Sequence, residues 1–269
     1  MEDYDAGMLA RKALSLALAI LFVIVLGLAV KVGRAQDAAS IATGNLTSAQ
    51  ILDQMERHSL VQKQGLKQYQ SLRHYQVEYR GFSTRIEARM DVEVNYSLAA
   101  GKTFRIVSEG GSGLLREKVL KRALDSEREA TQEARATALT QANYRFKLEG
   151  SDLQENRPAY IFEVEPVTPS KFLIRGKIWV DAADFAVVKM ETQPAKNPSF
   201  WISQTRIHYT GAKTDGFWFP QQVLSETKVR IGGTAVLTIN YGPYEVSPAT
   251  TADAQSVHRD LGIAGMASK

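Results

Sequence analysis

Polar and apolar residues alternate along most of the chain, which predicts β-strands. The clearest segment runs from Arg85 to Tyr96, where charged or polar residues and apolar residues take every second position. Such a strand buries one face and exposes the other, as in an antiparallel sheet covered on one side. From Tyr144 to Val246 the alternation continues in short runs separated by glycine-containing turns. We therefore expect about ten strands, joined mainly by hairpins, in an open, curved sheet.

Helical periodicity interrupts the alternation twice. Thr47 or Ser48 is suited to cap a first helix that reaches about Gly65. A second helix is expected from about Leu114 to Thr140, after a glycine-rich turn at residues 110–113. Its apolar stripe consists of Leu115, Val119, Leu120, Ala123 and Leu124.

The amino-terminal segment has the pattern of an export signal. Arg11 and Lys12 precede an uncharged run from Ala13 to Val30, and small residues follow before Gln36. We expect cleavage before Gln36; an uncleaved membrane anchor is the alternative, because the run is long for a signal peptide and short for a membrane span. Both interpretations export the rest of the chain. The predicted organisation is a signal peptide or anchor at 1–35, a linker at 36–47, the folded domain at 48–246 and a flexible tail at 247–269.

Composition narrows the possible functions. The chain has 269 residues, 44% of them hydrophobic and 23% charged, which is typical of a globular protein. The net charge of +4 is small and dispersed, so no nucleic-acid partner is expected. There is no cysteine, which excludes disulfides, thiolate metal sites, cysteine nucleophiles and an acylated amino-terminal cysteine.

No recognisable catalytic or metal-binding motif is present. The 4 histidines are scattered, and none has an evident carboxylate or nucleophile partner in the sequence. The glycine-rich segment 110–113 lacks the Lys-Ser/Thr ending of a phosphate loop and favours a strand-to-helix turn. Asp181 and Asp184 favour turn chemistry over a catalytic pair. We predict no enzyme, cofactor or metal; catalysis would require a constellation that only folding assembles.

Aromatic residues are concentrated in one part of the chain. Two interpretations of them are open: a plain core beneath two helices, or the lining of an apolar cavity that holds an acyl chain. The residues are Trp179, Phe200, Trp201, Phe217, Trp218 and Phe219.

Five segments carry a resemblance to a known family, over roughly residues 48–246. They are Asn143–Gly150, Tyr160–Pro166, Gly176–Ala182, Ala195–Trp201 and Gly216–Pro220. With the order of elements around them, they resemble the bacterial outer-membrane lipoprotein-sorting family (LolA/LolB-like).

The resemblance implies an α+β fold, an antiparallel open half-barrel whose concave face is covered by helices over a hydrophobic cavity. It implies a non-catalytic periplasmic carrier of the acyl chains of a lipoprotein or lipid, working between an inner-membrane exporter and an outer-membrane acceptor. A periplasmic sensor or regulatory module on the same fold is the alternative. The family's carriers hold their helical lid closed with an arginine. No position of this sequence can be matched to that arginine.

The lining of such a cavity can be proposed from the apolar faces of the strands. Binding through these faces alone predicts little dependence on the charge of the ligand's head group. The candidate lipid-binding residues are Tyr79, Met90, Val92, Phe104, Phe146, Phe162 and Ile178.

Overall fold

The computed structural model describes residues 46–81, 84–132, 134–197, 200, 202–230 and 232–249. The first helix, α1 (Ser48–Gly65), begins where the sequence predicts. Thr47 caps it: its side chain accepts from the backbone N–H of Gln50, and the Gln50 side chain accepts from the backbone N–H of Thr47. This reciprocal capping box satisfies two backbone donors that a helix start otherwise leaves unpaired. The predicted signal segment and most of the predicted tail lie outside the described residues.

Ten strands make up most of the remaining described residues, as the alternation predicts. They are β1 (Leu66–Gly81), β2 (Thr84–Ser97), β3 (Gly101–Gly111), β4 (Tyr144–Gln154), β5 (Arg157–Pro166), β6 (Ile174–Asp181), β7 (Val187–Pro194), β8 (Ile202–Thr214), β9 (Phe217–Val229) and β10 (Thr234–Pro248).

All ten strands belong to one sheet, in the order β3-β2-β1-β10-β9-β8-β7-β6-β5-β4. Every neighbouring pair is antiparallel, and nearly every pair is also consecutive in the chain. The exception is β1 with β10, which brings the two ends of the domain together in the middle of the sheet. The sheet stays open, with β3 and β4 as its edges, so the predicted half-barrel is confirmed.

The second helical segment connects these two edges. It comprises α2 (Gly113–Leu115), a π-helical turn (Arg116–Leu120), α3 (Lys121–Gln132) and α4 (Ala134–Thr137). It therefore ends slightly earlier than the predicted Thr140. The first part of the predicted apolar stripe is buried against the sheet, namely Leu115, Val119, Leu120, Ala123 and Leu124. The preceding turn needs glycine at position 111, where φ is +81° and a Cβ atom would lie 2.5 Å from the Glu87 carbonyl oxygen.

Most of the apolar residues pack on one face of the sheet, which we call the covered face. There the strands contact α1 through Ile51, Leu52 and Met55, and they contact the second helical segment through its stripe. The predicted register of β2 is confirmed, with Val92 fully buried and Glu87 exposed on the opposite face. Among the helices in the described part of the chain, none has the length and apolarity needed to span a membrane.

Candidate functional site

All seven candidate lining residues belong to the apolar cluster on the covered face. Of the seven, Met90, Val92, Phe162 and Ile178 are fully buried. Tyr79, Phe104 and Phe146 are partly buried and pack against it. The strands therefore bring these residues together as a continuous apolar surface, as the alternation predicts. Their role in lipid binding stays a prediction.

The apolar surface is closed off in this conformation. Met90 and Val92 have 0% exposed surface, as do Leu115 and Leu120 of the second helical segment. The fully buried residues of the sheet are thus shielded by side chains of the helical cover and of neighbouring strands. Another molecule reaches these residues only if part of the helical cover moves away from the sheet.

Three charged residues lie between the sheet and the second helical segment. Arg73 is on β1, Lys102 on β3 and Glu127 on α3, and we call them the buried ion cluster. Arg73 Nη1 donates to both carboxylate oxygens of Glu127, at 2.8 and 2.7 Å, and Lys102 Nζ donates to Oε1 at 3.1 Å. Only 2% of the Arg73 side chain and 14% of the Glu127 side chain is exposed. The cluster therefore ties the cover to two strands from within the interface.

Aromatic rings complete the surroundings of the guanidinium. Arg73 Cζ lies 4.7 Å from the centroid of the Tyr241 ring and 5.8 Å from that of Phe104. Such cation–π contacts favour a charged group that has left water.

The electrostatics keep the acidic member of the buried ion cluster ionised. Burial acts to raise the pKa of Glu127, but the positive charges of Arg73 and Lys102 and their hydrogen bonds outweigh it and lower the pKa to about 2. The ion pair is therefore intact at neutral pH.

Two features of the sequence point to the buried ion cluster. Arg73 lies two residues before Tyr75, on the buried side of the same strand. Glu127 follows Ala123 and Leu124 at helical spacing, so it continues their apolar stripe with an acidic residue. A charge on the buried face of each of two packed elements is the pattern that could have revealed the pair.

The aromatic-rich segment divides between the two faces of the sheet. Phe217 and Phe219 join the cluster on the covered face. Trp179 and Trp218 instead lie on the opposite face, in a small cluster with Ala159 and Val188. Phe200 is 74% exposed, and Trp201 lies outside the described residues. The two tryptophans therefore belong neither to the core beneath the helices nor to a cavity lining there.

The interpretation of Asp181 as a turn residue is confirmed. Its Oδ1 accepts from the backbone N–H of Ala183 at 3.0 Å and from that of Asp184 at 2.7 Å. Arg157 donates to both carboxylate oxygens of Asp181, at 2.6 and 2.9 Å. Asp184 accepts from Arg157, Lys213 and the Trp218 indole, so the two carboxylates join hairpin ends rather than facing a common substrate.

Neither His58 nor His74 takes part in a catalytic arrangement among the described residues. His74 lies 2.8 Å from Asp91, and Ser108 donates to the other oxygen of the same carboxylate at 2.5 Å. The carboxylate thus separates the histidine from the hydroxyl, so the serine has no base. His58 on α1 is half-buried, and burial lowers its pKa. Across the described residues, no group of three or more acidic or histidine side chains is placed to hold a metal ion.

The chain is similar to several solved structures. A DUF1329 family protein from Desulfovibrio piger is 15% identical, with a TM-score of 0.40, and the match covers 78% of this chain and 97% of that one. An outer-membrane lipoprotein-sorting protein domain from Vibrio parahaemolyticus is 10% identical, with a TM-score of 0.38 over 77% and 96% of the chains. A LolA superfamily protein from Nitrosomonas europaea is 12% identical, with a TM-score of 0.37 and the same coverage.

The open antiparallel half-barrel that the resemblance implies is the architecture found in the described residues. The three solved structures are similar to the chain at identities of 10–15% and TM-scores of 0.40 or below. The chain matches no protein-family model, and no curated protein matches its sequence.

Proposed function

We propose that this protein is a non-catalytic periplasmic carrier. It binds the acyl chains of a lipoprotein or lipid between the covered face of the sheet and the second helical segment, and it transfers them towards the outer membrane. The observation that carries the proposal is the apolar covered face, whose helical cover is tied down by a buried ion pair, Arg73 with Glu127.

The apolar surface is sufficient to bind a lipid without further chemistry. Each methylene that leaves water contributes about 0.8 kcal/mol, so ten of them contribute roughly 8 kcal/mol before the costs of association and ordering. Movement of the cover costs the contacts of its stripe and of the buried ion cluster, and the incoming chain replaces the apolar part of them. Reversible opening suits a carrier, which must both take up and release its cargo.

Binding of a fluorescent fatty-acyl probe tests the proposal directly. The wild-type protein should take up the probe with micromolar affinity. Met90→Glu places a carboxylate on the covered face and should abolish uptake, whereas Arg89→Glu changes the exposed neighbour on the same strand and should not. Folding of both variants is checked by circular dichroism. Failure of the wild type to bind any acyl probe would contradict the carrier function.

The cargo and the location can be examined in the native envelope. We infer that residues 1–35 direct export, and that an inner-membrane exporter and an outer-membrane acceptor are the partners. Native mass spectrometry of protein purified from its own envelope should show an added mass that dissociates as lipid or lipoprotein. The mature chain should begin at Gln36; a full-length chain firmly in the membrane fraction would indicate an anchor instead.

The second candidate function is a periplasmic sensor or regulatory module on the same fold. The observation in its favour is the exposure of apolar residues on the edge strands, namely Ile106 and Val107 on β3 and Leu148 and Leu153 on β4. Open sheet edges offer backbone groups with which a partner strand can pair. Purification of the protein in a stoichiometric complex with another envelope protein, without bound lipid, would favour this function over the carrier.

A further inference from the structure

The buried ion cluster contains more positive charge than negative charge. Arg73 and Lys102 face a single carboxylate, that of Glu127, and both cations are largely buried, with 2% and 17% of their side chains exposed. Burying an uncompensated charge is costly. A cluster that served only to fix the cover would therefore be expected to contain equal numbers of positive and negative charges. The excess of positive charge indicates that the site is suited to a second anion, or to an anion that carries more negative charge than the Glu127 carboxylate.

One hydrogen-bond donor of the buried ion cluster is also unused. Arg73 Nε is buried and has no hydrogen-bond partner among the described residues. Arg73 engages Glu127 through Nη1 alone, leaving the side of the guanidinium that carries Nε without an acceptor. A guanidinium binds planar carboxylates and phosphates with two parallel hydrogen bonds, so this arrangement is incomplete for an arginine.

We propose that the ligand of the covered face carries an anionic head group, and that this group takes the place of Glu127 on Arg73 and Lys102. The inference rests on the proposed carrier function and specifies its ligand as a long acyl or alkyl chain that ends in a carboxylate or phosphate. It revises the sequence-based expectation that binding depends little on head-group charge.

The positions of the charges connect binding to opening. Both cations are on the sheet, whereas the anion is on the helical cover. An incoming anion that satisfies Arg73 and Lys102 releases Glu127 to water, and the cover loses its polar attachment to β1 and β3. The ligand's chain then occupies the apolar surface that the cover leaves. Glu127 is therefore an internal substitute that keeps the empty site neutralised and closed.

Four probes with the same dodecyl chain length separate head-group charge from apolar binding. Laurate, dodecyl phosphate, dodecanol and dodecyltrimethylammonium are each tested for displacement of the neutral dye N-phenyl-1-naphthylamine at pH 8, the ionic probes below their micelle concentrations and dodecanol below its solubility limit. We expect one or both anions to bind about tenfold or more tightly than dodecanol, and the cation to bind more weakly than dodecanol. A preference for laurate alone identifies a fatty-acid carboxylate, and a preference for dodecyl phosphate alone identifies a phospholipid-type head group; either supports the inference.

Two variants test whether the preference arises at the buried ion cluster. Lys102→Met removes the excess charge while leaving the Arg73–Glu127 pair, and should reduce the ratio of anion to dodecanol affinity several-fold. Glu127→Gln removes the competing anion and should raise that ratio. Easier opening of the helical cover in this variant strengthens the binding of both probes alike, so it leaves the ratio unaffected. Lys147→Met, at a side chain that is 71% exposed, is the matched control and should leave the ratio unchanged.

The outcomes distinguish this inference from the proposed function. If the wild type binds none of the probes, the carrier function fails and the inference fails with it. Equal binding of the anions and dodecanol would overturn the inference and leave the carrier function standing. An anion preference that Lys102→Met does not alter would also overturn it, because the charge would then be recognised elsewhere. If Glu127→Gln fails to fold, the affinity ratio of Lys102→Met alone decides whether the head group binds at the buried ion cluster.

Discussion

Arg73 and Glu127 lie 54 residues apart in the sequence, and the guanidinium of one is 2.7 Å from the carboxylate of the other. One belongs to a central strand and the other to the helix that covers the sheet, so the pair joins two structural layers. An arginine beneath the cover is also what the family resemblance leads one to expect, although there it could be matched to no position. The pair in this chain has a measurable consequence for stability.

Acid should weaken the attachment of the cover. With a pKa lowered from 4.5 to about 2, ionised Glu127 contributes about 3 kcal/mol to the free energy of unfolding near neutral pH. Because the folded pKa is depressed, this contribution is present above pH 4.5 and is lost as the pH falls through about 2. Urea unfolding from pH 7 to pH 2 should show Glu127→Gln to be less stable than wild type at pH 7, with the difference shrinking in acid.

Glu129→Gln provides the control for the acid experiment. Glu129 is an exposed residue on the same helix, two positions further on. Its substitution should change stability by only about 0.5 kcal/mol at any pH. An equal effect of the two substitutions would mean that the Arg73–Glu127 pair contributes nothing particular to stability.

Local patterns in the sequence predict most of the fold, because strand and helix periodicity are recorded in neighbouring residues. The alternation in β2 and the stripe of the second helical segment are both found as expected. The pairing of β1 with β10 is not local, since it joins the two ends of the domain, and alternation gives no information about which strands are neighbours.

Only the local part of the candidate site could be predicted from the sequence. The apolar face follows from alternation, but the buried ion cluster arises only when β1, β3 and α3 come together. Each of its residues looks like an ordinary polar interruption within its own segment. The position of Trp179 was recoverable, since it alternates with Ile178 and Val180 and must face away from them.

The register of β2 can be tested with two adjacent substitutions. Val92→Asp places a carboxylate in the fully buried cluster and should cost about 3–5 kcal/mol of unfolding free energy. Glu93 is on the opposite face, where it pairs with the exposed Arg105, so Glu93→Gln should have only a small effect on stability. Chemical denaturation of both variants measures the difference, and similar losses would contradict the register.

The hairpin between β6 and β7 should depend on a buried carboxylate. Only 1% of the Asp181 side chain is exposed, and Asp181→Ala removes its bonds to Arg157 and to two backbone N–H groups. We expect a loss of about 2–3 kcal/mol in thermal or chemical unfolding, because the freed backbone groups stay partly shielded while Arg157 can turn to water. Asp152→Ala, at an exposed position of β4, is the control and should be nearly neutral. A nearly neutral Asp181→Ala would show that the turn forms without its carboxylate.

The stability of the protein should respond to mild acid through His58 of α1, whose surroundings include the charges of Asp184, Asp181 and Lys213. Burial lowers the pKa of His58 below its usual 6.5; the nearby Asp184 and Asp181 oppose this effect, and Lys213 adds to it. The unfolded chain therefore takes up a proton on His58 at a higher pH than the folded protein does. Stability that is present above pH 6.5 is accordingly lost as the pH falls through the folded pKa.

This dependence can be assigned to His58 by substitution and by direct titration. His58→Gln should flatten the fall in unfolding free energy below pH 6.5, whereas Arg57→Gln, at the exposed neighbouring position, should leave it unchanged. An NMR titration of the His58 ring should give a midpoint below 6.5 in the folded protein. A midpoint above that value would mean that the two aspartates outweigh burial, and the pH dependence would then reverse its sign, because the folded protein would bind the proton more tightly than the unfolded chain. A midpoint equal to 6.5 would remove the dependence.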